Sequence, residues 1–352
     1  MPSAALPLRV AILVFSLLLC GCSANARGAP DSFAPLVKKV LPAVVNIAVT
    51  ETATSRDLYR DLPPELRDTP LGREFKRRFG DQPRHTMGAG SGFIIDPSGI
   101  IVTNNHVVGH ADSIVVSLTN GRQYPAKLIG QDPLTDVAVI KVVTTEPLPA
   151  VTWGDSRRAE VGDWIIAAGN PFGLGGSVSA GIISAAGRDL GAGPFDNFLQ
   201  LDAPINPGNS GGPVFNMDGE VIGVSSVIVS PTGASVGIGF AIPSETVSQV
   251  VSELLSKGSI QRGWLGVSVE DKDDGGVTIA ALDRQGPAAR SGIRLGDDVV
   301  AINGAPVATS RGLIRAVALV TPGNNARVTV RRQGRTMDVS VVVGQRPGAE
   351  GQ

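Results

Sequence analysis

Ser210 stands in the run Ile205-Asn206-Pro207-Gly208-Asn209-Ser210-Gly211-Gly212-Pro213. Gly and Pro rule out a helix or a regular strand here and dictate a tight, irregular turn. Such a turn can push one hydroxyl forward while the backbone N–H groups of Gly208 and Ser210 point at one spot. A nucleophile beside two convergent donors is what acyl transfer requires: attack on a carbonyl, and stabilisation of the oxyanion that forms. A bare GxSGG also fits a Gly-rich surface loop, so the rest of the chain has to decide. Upstream lie an imidazole and an acid, His106 just past an apolar strand and Asp136 directly before another. His85 and His110 have no such setting, and an acid like Asp136, standing alone, reads as a turn residue.

The elements that must position these groups are short strands. Val and Ile recur in brief alternating runs, Gly reaches 44 of 352 residues and aromatics only 4%, a pattern of strands and turns rather than long helices. A chain of this length can build two or three cores. The formal net charge of −1, with no dense Lys/Arg cluster, argues against a nucleic-acid partner. Both cysteines, Cys20 and Cys22, lie at the N-terminus, so the folded body has no disulfide; no Cys/His cluster has metal-ligand spacing, and neither a metal nor a cofactor is expected.

Arg9 followed by the apolar run Val10 to Leu19 reads as an export signal over residues 1–26. Two exits compete. Ala24-Asn25-Ala26 fits a cleavage site, whereas Leu19-Cys20-Gly21-Cys22 resembles a bacterial lipobox that would leave a lipid on Cys22 as a membrane tether. After a short helix, Val44 to Val49 reads as a strand. Residues 51–86 are polar and charged and read as a long loop, either functional or a solvated insertion. Strands follow at Gly92–Ile95, Ile100–Thr103, Ile114–Leu118, Gln123–Ile129 and Val137–Val142, then at Gly181–Ser184, Ser225–Ser230 and Gly237–Pro243. Ser244 to Lys257 reads as a helix capped by Ser244, ended by Gly258, with Val247, Val250, Val251, Leu254 and Leu255 on one apolar stripe.

The chain order His106, Asp136, Ser210 is that of chymotrypsin-like proteases. The separations suit one barrel carrying His106 and Asp136 and a second carrying Ser210. Asn104-Asn105-His106-Val107-Val108, Thr135-Asp136-Val137-Ala138 and Asn206 to Pro213 resemble the three signatures of the HtrA/Deg family of envelope serine proteases. Gly263-Trp264-Leu265-Gly266-Val267 resembles the carboxylate-binding loop of a PDZ domain, and the likeness continues through Gly286 to Ala289, the Asn303-Gly304 turn and a helix near Ser310–Val320. Ile314 and Val317 on that helix are groove or core residues.

The resemblance implies a mainly β chain: a chymotrypsin-like double six-stranded β-barrel protease domain over 27–258, one PDZ domain over 259–345 and a tail over 346–352. It implies a serine endopeptidase of the periplasm or cell envelope, acting on unfolded or misfolded proteins without a cofactor. His106, Asp136 and Ser210 would be catalytic, Gly208 and Ser210 would form the oxyanion hole, and Trp264 to Val267 would grip C-terminal peptides. Arg188 would relay a peptide signal, or be a solvated surface group. Assembly as a homotrimer or a multiple of it is implied too, with Phe33 as a candidate contact.

Asn209 replaces the acid that digestive relatives carry before the serine, so activation by an ion pair with a freed amine is closed to it. Pro204, followed by the pocket residue Ile205, stands where a Lys/Arg-specific pocket needs an acid. Two further readings share these features: a site-specific regulatory protease in stress signalling, and a PDZ-bearing chaperone with secondary proteolysis.

Overall fold

The computed structural model describes residues 30–53, 84–191, 193–206, 208–230, 235–272 and 276–345. The signal segment with Cys22, most of the 51–86 loop and the 346–352 tail lie outside the described residues. Helix α1 (Ala34–Val40) leads into strand β1 (Val44–Ala53). With β2 (Arg84–Asp96), β3 (Ile100–Thr103), β4 (Ser113–Leu118), β5 (Gln123–Asp132) and β6 (Val137–Val142), it closes a barrel in the order β1-β2-β3-β6-β5-β4. Alternation sends Val45, Ile47, Ile94, Ile101 and Ile140 into its core. The β1–β2 ladder runs past the expected loop boundary, pairing Glu51 with Thr86 and Ala53 with Arg84.

A second barrel closes as β10-β11-β12-β9-β8-β7, from β7 (Trp164–Gly169), β8 (Ser177–Arg188), β9 (Phe198–Leu201), β10 (Pro213–Phe215), β11 (Val221–Ile228) and β12 (Gly239–Pro243). The short helix α2 (Asn105–Val108) follows β3, and the long helix α3 (Ser244–Lys257) follows β12. The stripe Val247, Val250, Val251 and Leu254 is buried, and left-handed Gly258 (φ 72°) closes the helix with its N–H on the Leu254 carbonyl. Two expectations fail. Leu255 is exposed, and Ser244 does not cap; its hydroxyl donates to the Gly154 carbonyl and accepts from Ser156 N–H, tying the helix to a loop.

The C-terminal domain is a sheet of order β14-β15-β16-β18-β19, from β14 (Val267–Asp271), β15 (Val277–Leu282), β16 (Asp298–Ile302), β18 (Asn325–Arg332) and β19 (Arg335–Val342), with β17 (Ala305–Pro306) beside β16. The pair β13 (Gly263–Trp264) and β20 (Gly344–Gln345), with helices α4 (Pro287–Arg290) and α5 (Ser310–Ala318), completes it. Asn303 and Gly304 both take positive φ in the β16–β17 turn, as the Asn-Gly pair predicts.

Among the described residues, two charge contacts join this domain to the barrels. Arg262 lies 2.6 Å from buried Asp132 at the end of β5 and stacks over the Phe195 ring at 4.3 Å. Arg311, at the start of α5, pairs with Asp189 just past β8.

Inside the domain, buried Asp297 accepts two bonds from the Arg332 guanidinium, at 2.6 and 2.7 Å. That pairing, helped by Arg294 N–H, holds its carboxyl below the ordinary range. A depressed folded value stabilises the domain fully above the ordinary carboxylate range near pH 4, and the contribution fades as pH falls through the folded value. Asp297→Asn should therefore cost about 3 kcal/mol at neutral pH. Hydrogen exchange of β16 and β18 in the full chain reads this loss. The gap between parent and variant should shrink on acidification to pH about 3; an equal gap at both pH values would remove the ion pair as its source.

Candidate active site

His106 projects from α2, whose Val107 and Val108 are buried, leaving the imidazole half exposed. Asp136 lies between the 132–135 turn and β6. In that turn Asp132 accepts from Thr135 Oγ1 at 2.7 Å and from Leu134 N–H at 3.3 Å, as well as from Arg262. The chain leaves the turn with Asp136 at φ 56°, a left-handed conformation that Asp tolerates better than a branched residue. Its carbonyl then accepts from Asn105 N–H (3.1 Å) and Asn104 Nδ2 (2.8 Å), and its Oδ1 from His106 N–H (2.9 Å). The imidazole Nδ1 sits 2.8 Å from Oδ2 and 3.0 Å from Oδ1. A carboxylate only accepts, so Nδ1 carries the proton and Nε2 is left as the base.

The second barrel completes the set. Ser226 on β11 donates its hydroxyl to Asp136 Oδ2 at 2.7 Å, and its carbonyl accepts from Ser210 Oγ at 3.4 Å. His106, Asp136 and Ser210 are thus brought to one place, with the Ser210 hydroxyl turned towards Ser226 rather than bonded to the imidazole.

The turn around Ser210 is fixed through its backbone. Ser91 N–H, on β2, donates to the Ser210 carbonyl (2.8 Å), Gly211 N–H to Ser225 O (2.8 Å), and Gly212 N–H to Asn209 O (2.9 Å). Gly208 (φ 96°) and Gly211 (φ 83°) need the left-handed freedom of glycine, and a Cβ on Gly211 would overlap the Ser91 carbonyl oxygen. Among the described residues neither Gly208 N–H nor Ser210 N–H has an acceptor. Asn209 is buried against Gly169. Ile205 packs in the second barrel's core at 2% exposure, touching Gly239, and the Pro204 carbonyl accepts from Ser179 Oγ. Arg188, at the end of β8, donates to Gln200 Oε1 at 2.9 Å; its neighbour Asp189 makes the contact with Arg311.

On the C-terminal domain, Trp264, Leu265, Gly266 and Val267 border a groove of about 410 Å³ whose far wall is Leu313, Ile314 and Val317 on α5. Leu265 and Val317 are also core residues, while Ile314 is the exposed one. The N–H groups of Leu265 and Gly266 have no acceptor among the described residues, and β14 is an edge strand along the groove. Free donors at one end and an unpaired strand edge along the side form an arrangement that accepts a peptide terminus.

A trypsin-like peptidase domain matches residues 90–224 and a PDZ domain residues 263–343. The chain is 42% identical to a probable periplasmic serine endoprotease, DegP-like, of Brucella suis, over 91% of this chain and 70% of that protein. The same identity holds for a protein so described from Halomonas elongata, over 96% and 76%. The solved HtrA-type protease AlgW with a decapeptide superposes with TM-score 0.74 at 36% identity, covering 90% of this chain and 99% of that one. A serine endoprotease from Yersinia pestis gives 0.70 at 33%, covering 91% and 100%.

The chain belongs to the HtrA family.

As a family member it is a serine-type endopeptidase with a PDZ domain. Sequence reading missed Ser226, because a serine inside an apolar strand carries no motif; its position on β11 opposite the acid is visible only once both barrels are closed. Ser226→Ala removes one hydrogen bond to a charged group, about 1.5–3 kcal/mol. If that bond holds the acid for catalysis, kcat should fall about 10- to 100-fold with little change in KM. Steady-state kinetics on a reporter peptide read the split, and an unchanged kcat would leave Ser226 a packing residue.

Proposed function

We propose that this chain is an exported envelope endopeptidase that degrades unfolded protein, with Ser210 as nucleophile, His106 as base and Asp136 as its orienting acid. The observation that carries the reading is the His106–Asp136 pair beside a serine whose turn leaves two N–H donors without an acceptor among the described residues. In acylation the Ser210 hydroxyl leaves the Ser226 carbonyl, passes its proton to His106 Nε2 and bonds to the peptide carbonyl carbon. The oxyanion takes the N–H groups of Gly208 and Ser210; on collapse the C–N bond breaks and His106 returns the proton to the amine. Water repeats the sequence to free the acyl group. Asp136 holds Nδ1–H throughout and offsets the charge of the imidazolium. In this reading Ile205 is the apolar base of the specificity pocket and Pro204 supplies no acid there, so small and medium aliphatic residues are favoured.

The relatives are named periplasmic, which supports the same compartment here; a lipid on Cys22 and assembly as a trimer belong to the same proposal. Ser210→Ala should lower cleavage of an unfolded protein on the order of 10⁴-fold or more. Sequencing the wild-type products should show cuts after Val, Ala or Ile. Substantial residual cleavage, or cuts mainly after Lys or Arg, would overturn the assignment.

Peptide binding at the PDZ groove regulates this site in the same reading. Arg262 ties the PDZ domain to the turn before Asp136, and the Arg311–Asp189 pair ties α5 to the residue beside Arg188, so domain position and catalytic loops are linked physically. A peptide with an apolar, free C-terminus should raise activity roughly 5- to 150-fold, the reach of a coupling of about 1–3 kcal/mol. Its amidated form should do little, because the loop's N–H groups lose their anion. Arg188→Ala should keep the peptide's affinity and flatten the activation. Reporter cleavage measured against peptide concentration reads both, and an enzyme indifferent to peptide would reduce the PDZ domain to a substrate tether.

A further inference from the structure

Ser91 is fully buried, at 0% exposure, and lies outside the motifs that the chemistry uses. Its hydroxyl is spent in two directions: it donates to the Gly208 carbonyl at 2.6 Å and accepts from Asn170 N–H at 2.9 Å. Its own N–H holds the Ser210 carbonyl. One residue of the first barrel therefore grips the nucleophile turn at both positions whose N–H groups have no acceptor among the described residues. Asn170, itself fully buried, is fixed in turn: its carbonyl accepts from Asn46 Nδ2 at 3.0 Å and its Oδ1 from Gly176 N–H at 2.9 Å.

This grip matters because of what Gly208 lacks. With no Cβ and φ of 96°, its backbone can rotate at little cost, and rotation would swing its N–H away from the spot that Ser210 N–H faces. The peptide unit between Gly208 and Asn209 has only two polar atoms to hold it. Its N–H donates to the Asn206 carbonyl at 3.0 Å, and its oxygen takes the Ser91 hydroxyl. Removing the hydroxyl frees that oxygen while leaving the Ser91 backbone bond to Ser210 intact.

We propose that Ser91 is a positioning residue for the oxyanion site: its hydroxyl clamps the Gly208 carbonyl onto Asn170 and so keeps the Gly208 N–H aimed at the developing charge. The clamp rests on the assignment of Gly208 and Ser210 as the oxyanion donors. It acts only where charge develops, so its loss weakens binding of the transition state and not of the substrate.

The test uses the full chain as Ser91→Ala and as Ser91→Cys, whose bulkier thiol keeps a donor but a weak one. Removing an oxyanion donor outright costs about 10²- to 10³-fold in kcat. Loosening one should cost less, about 10- to 100-fold in Ser91→Ala, with KM within about threefold and Ser91→Cys in between. A peptidyl boronate, whose tetrahedral oxygen occupies the same spot, should lose affinity in proportion to kcat/KM. Substrate peptide should bind Ser91→Ala/Ser210→Ala as it binds Ser210→Ala. A defect of packing alone would not separate boronate from substrate in this way. Wild-type kcat in Ser91→Ala, a loss carried by KM, or unchanged boronate affinity would each overturn the clamp, and Ser91→Cys decides if the alanine variant fails to fold. Ser210→Ala keeps the two proposals apart. An inert Ser210→Ala beside a fully active Ser91→Ala removes only the clamp, whereas an active Ser210→Ala removes the catalytic assignment itself.

Discussion

The structure is built around a cost. Two backbone N–H groups, those of half-buried Gly208 and Ser210, are held without a partner among the described residues, forgoing the contribution of about 0.5–1.5 kcal/mol that each hydrogen bond would make. A free turn would relieve this by rotating. It is prevented because nearly every other polar group nearby is bonded: Gly211 and Gly212 N–H, Asn209 N–H, and the carbonyls of Gly208 and Ser210. The glycines that make the turn flexible also let Ser91 and Ala168 approach too closely for any side chain, so the flexible residues end in a tightly enclosed place.

The acid is held by a similar division of labour. Asp136 receives His106 from the first barrel and Ser226 from the second, and its backbone carbonyl binds the segment that carries His106. A carboxylate held by several donors is fixed in direction, which is what an imidazole acting as the base would need of its partner. Neither barrel supplies enough donors alone, so the site must lie in the seam. Helix α3 strengthens that seam: it continues from β12 of the second barrel, yet its C-terminal end packs on β5 of the first, where a Cβ on Gly130 would overlap the Gly258 carbonyl.

How much of this could be read in the sequence follows from what a residue type restricts. Glycines at 208, 211 and 212 restrict backbone, so the turn and its free donors were legible; Asn303-Gly304 and Gly258 were legible for the same reason. Alternating Val and Ile placed the strands of the first barrel, while Trp164–Gly169, Phe198–Leu201 and Pro213–Phe215 of the second went unread. Ser244 and Leu255 went the other way. A serine before a helix reads as a cap, but a loop carbonyl at Gly154 offered its hydroxyl a partner, and the apolar stripe extended one residue beyond the surface that α3 covers. Ser91 and Ser226 left no trace because a buried hydroxyl takes its meaning from groups distant in sequence, Gly208 and Asn170 for one, Asp136 for the other. Arg262 and Arg311 are invisible likewise, since a lone arginine reads as a solvated one.

Those two arginines differ in a way that bears on how the PDZ domain can move. Arg262 and Asp132 are 14% and 2% exposed as side chains, and the guanidinium also covers the Phe195 ring. Separating such a pair strands a buried carboxylate at about 3–5 kcal/mol. Arg311 and Asp189 are 35% and 58% exposed, where an ion pair contributes about 0–1 kcal/mol and water replaces either partner readily. Coupling between sites is worth about 1–3 kcal/mol, more than the exposed contact resists and less than the buried one does. In the regulatory reading proposed above, a peptide bound along β14 and α5 would release the Arg311 end while Arg262 stays seated. The end that stays seated is then the turn before Asp136, where Asp132 accepts from Arg262.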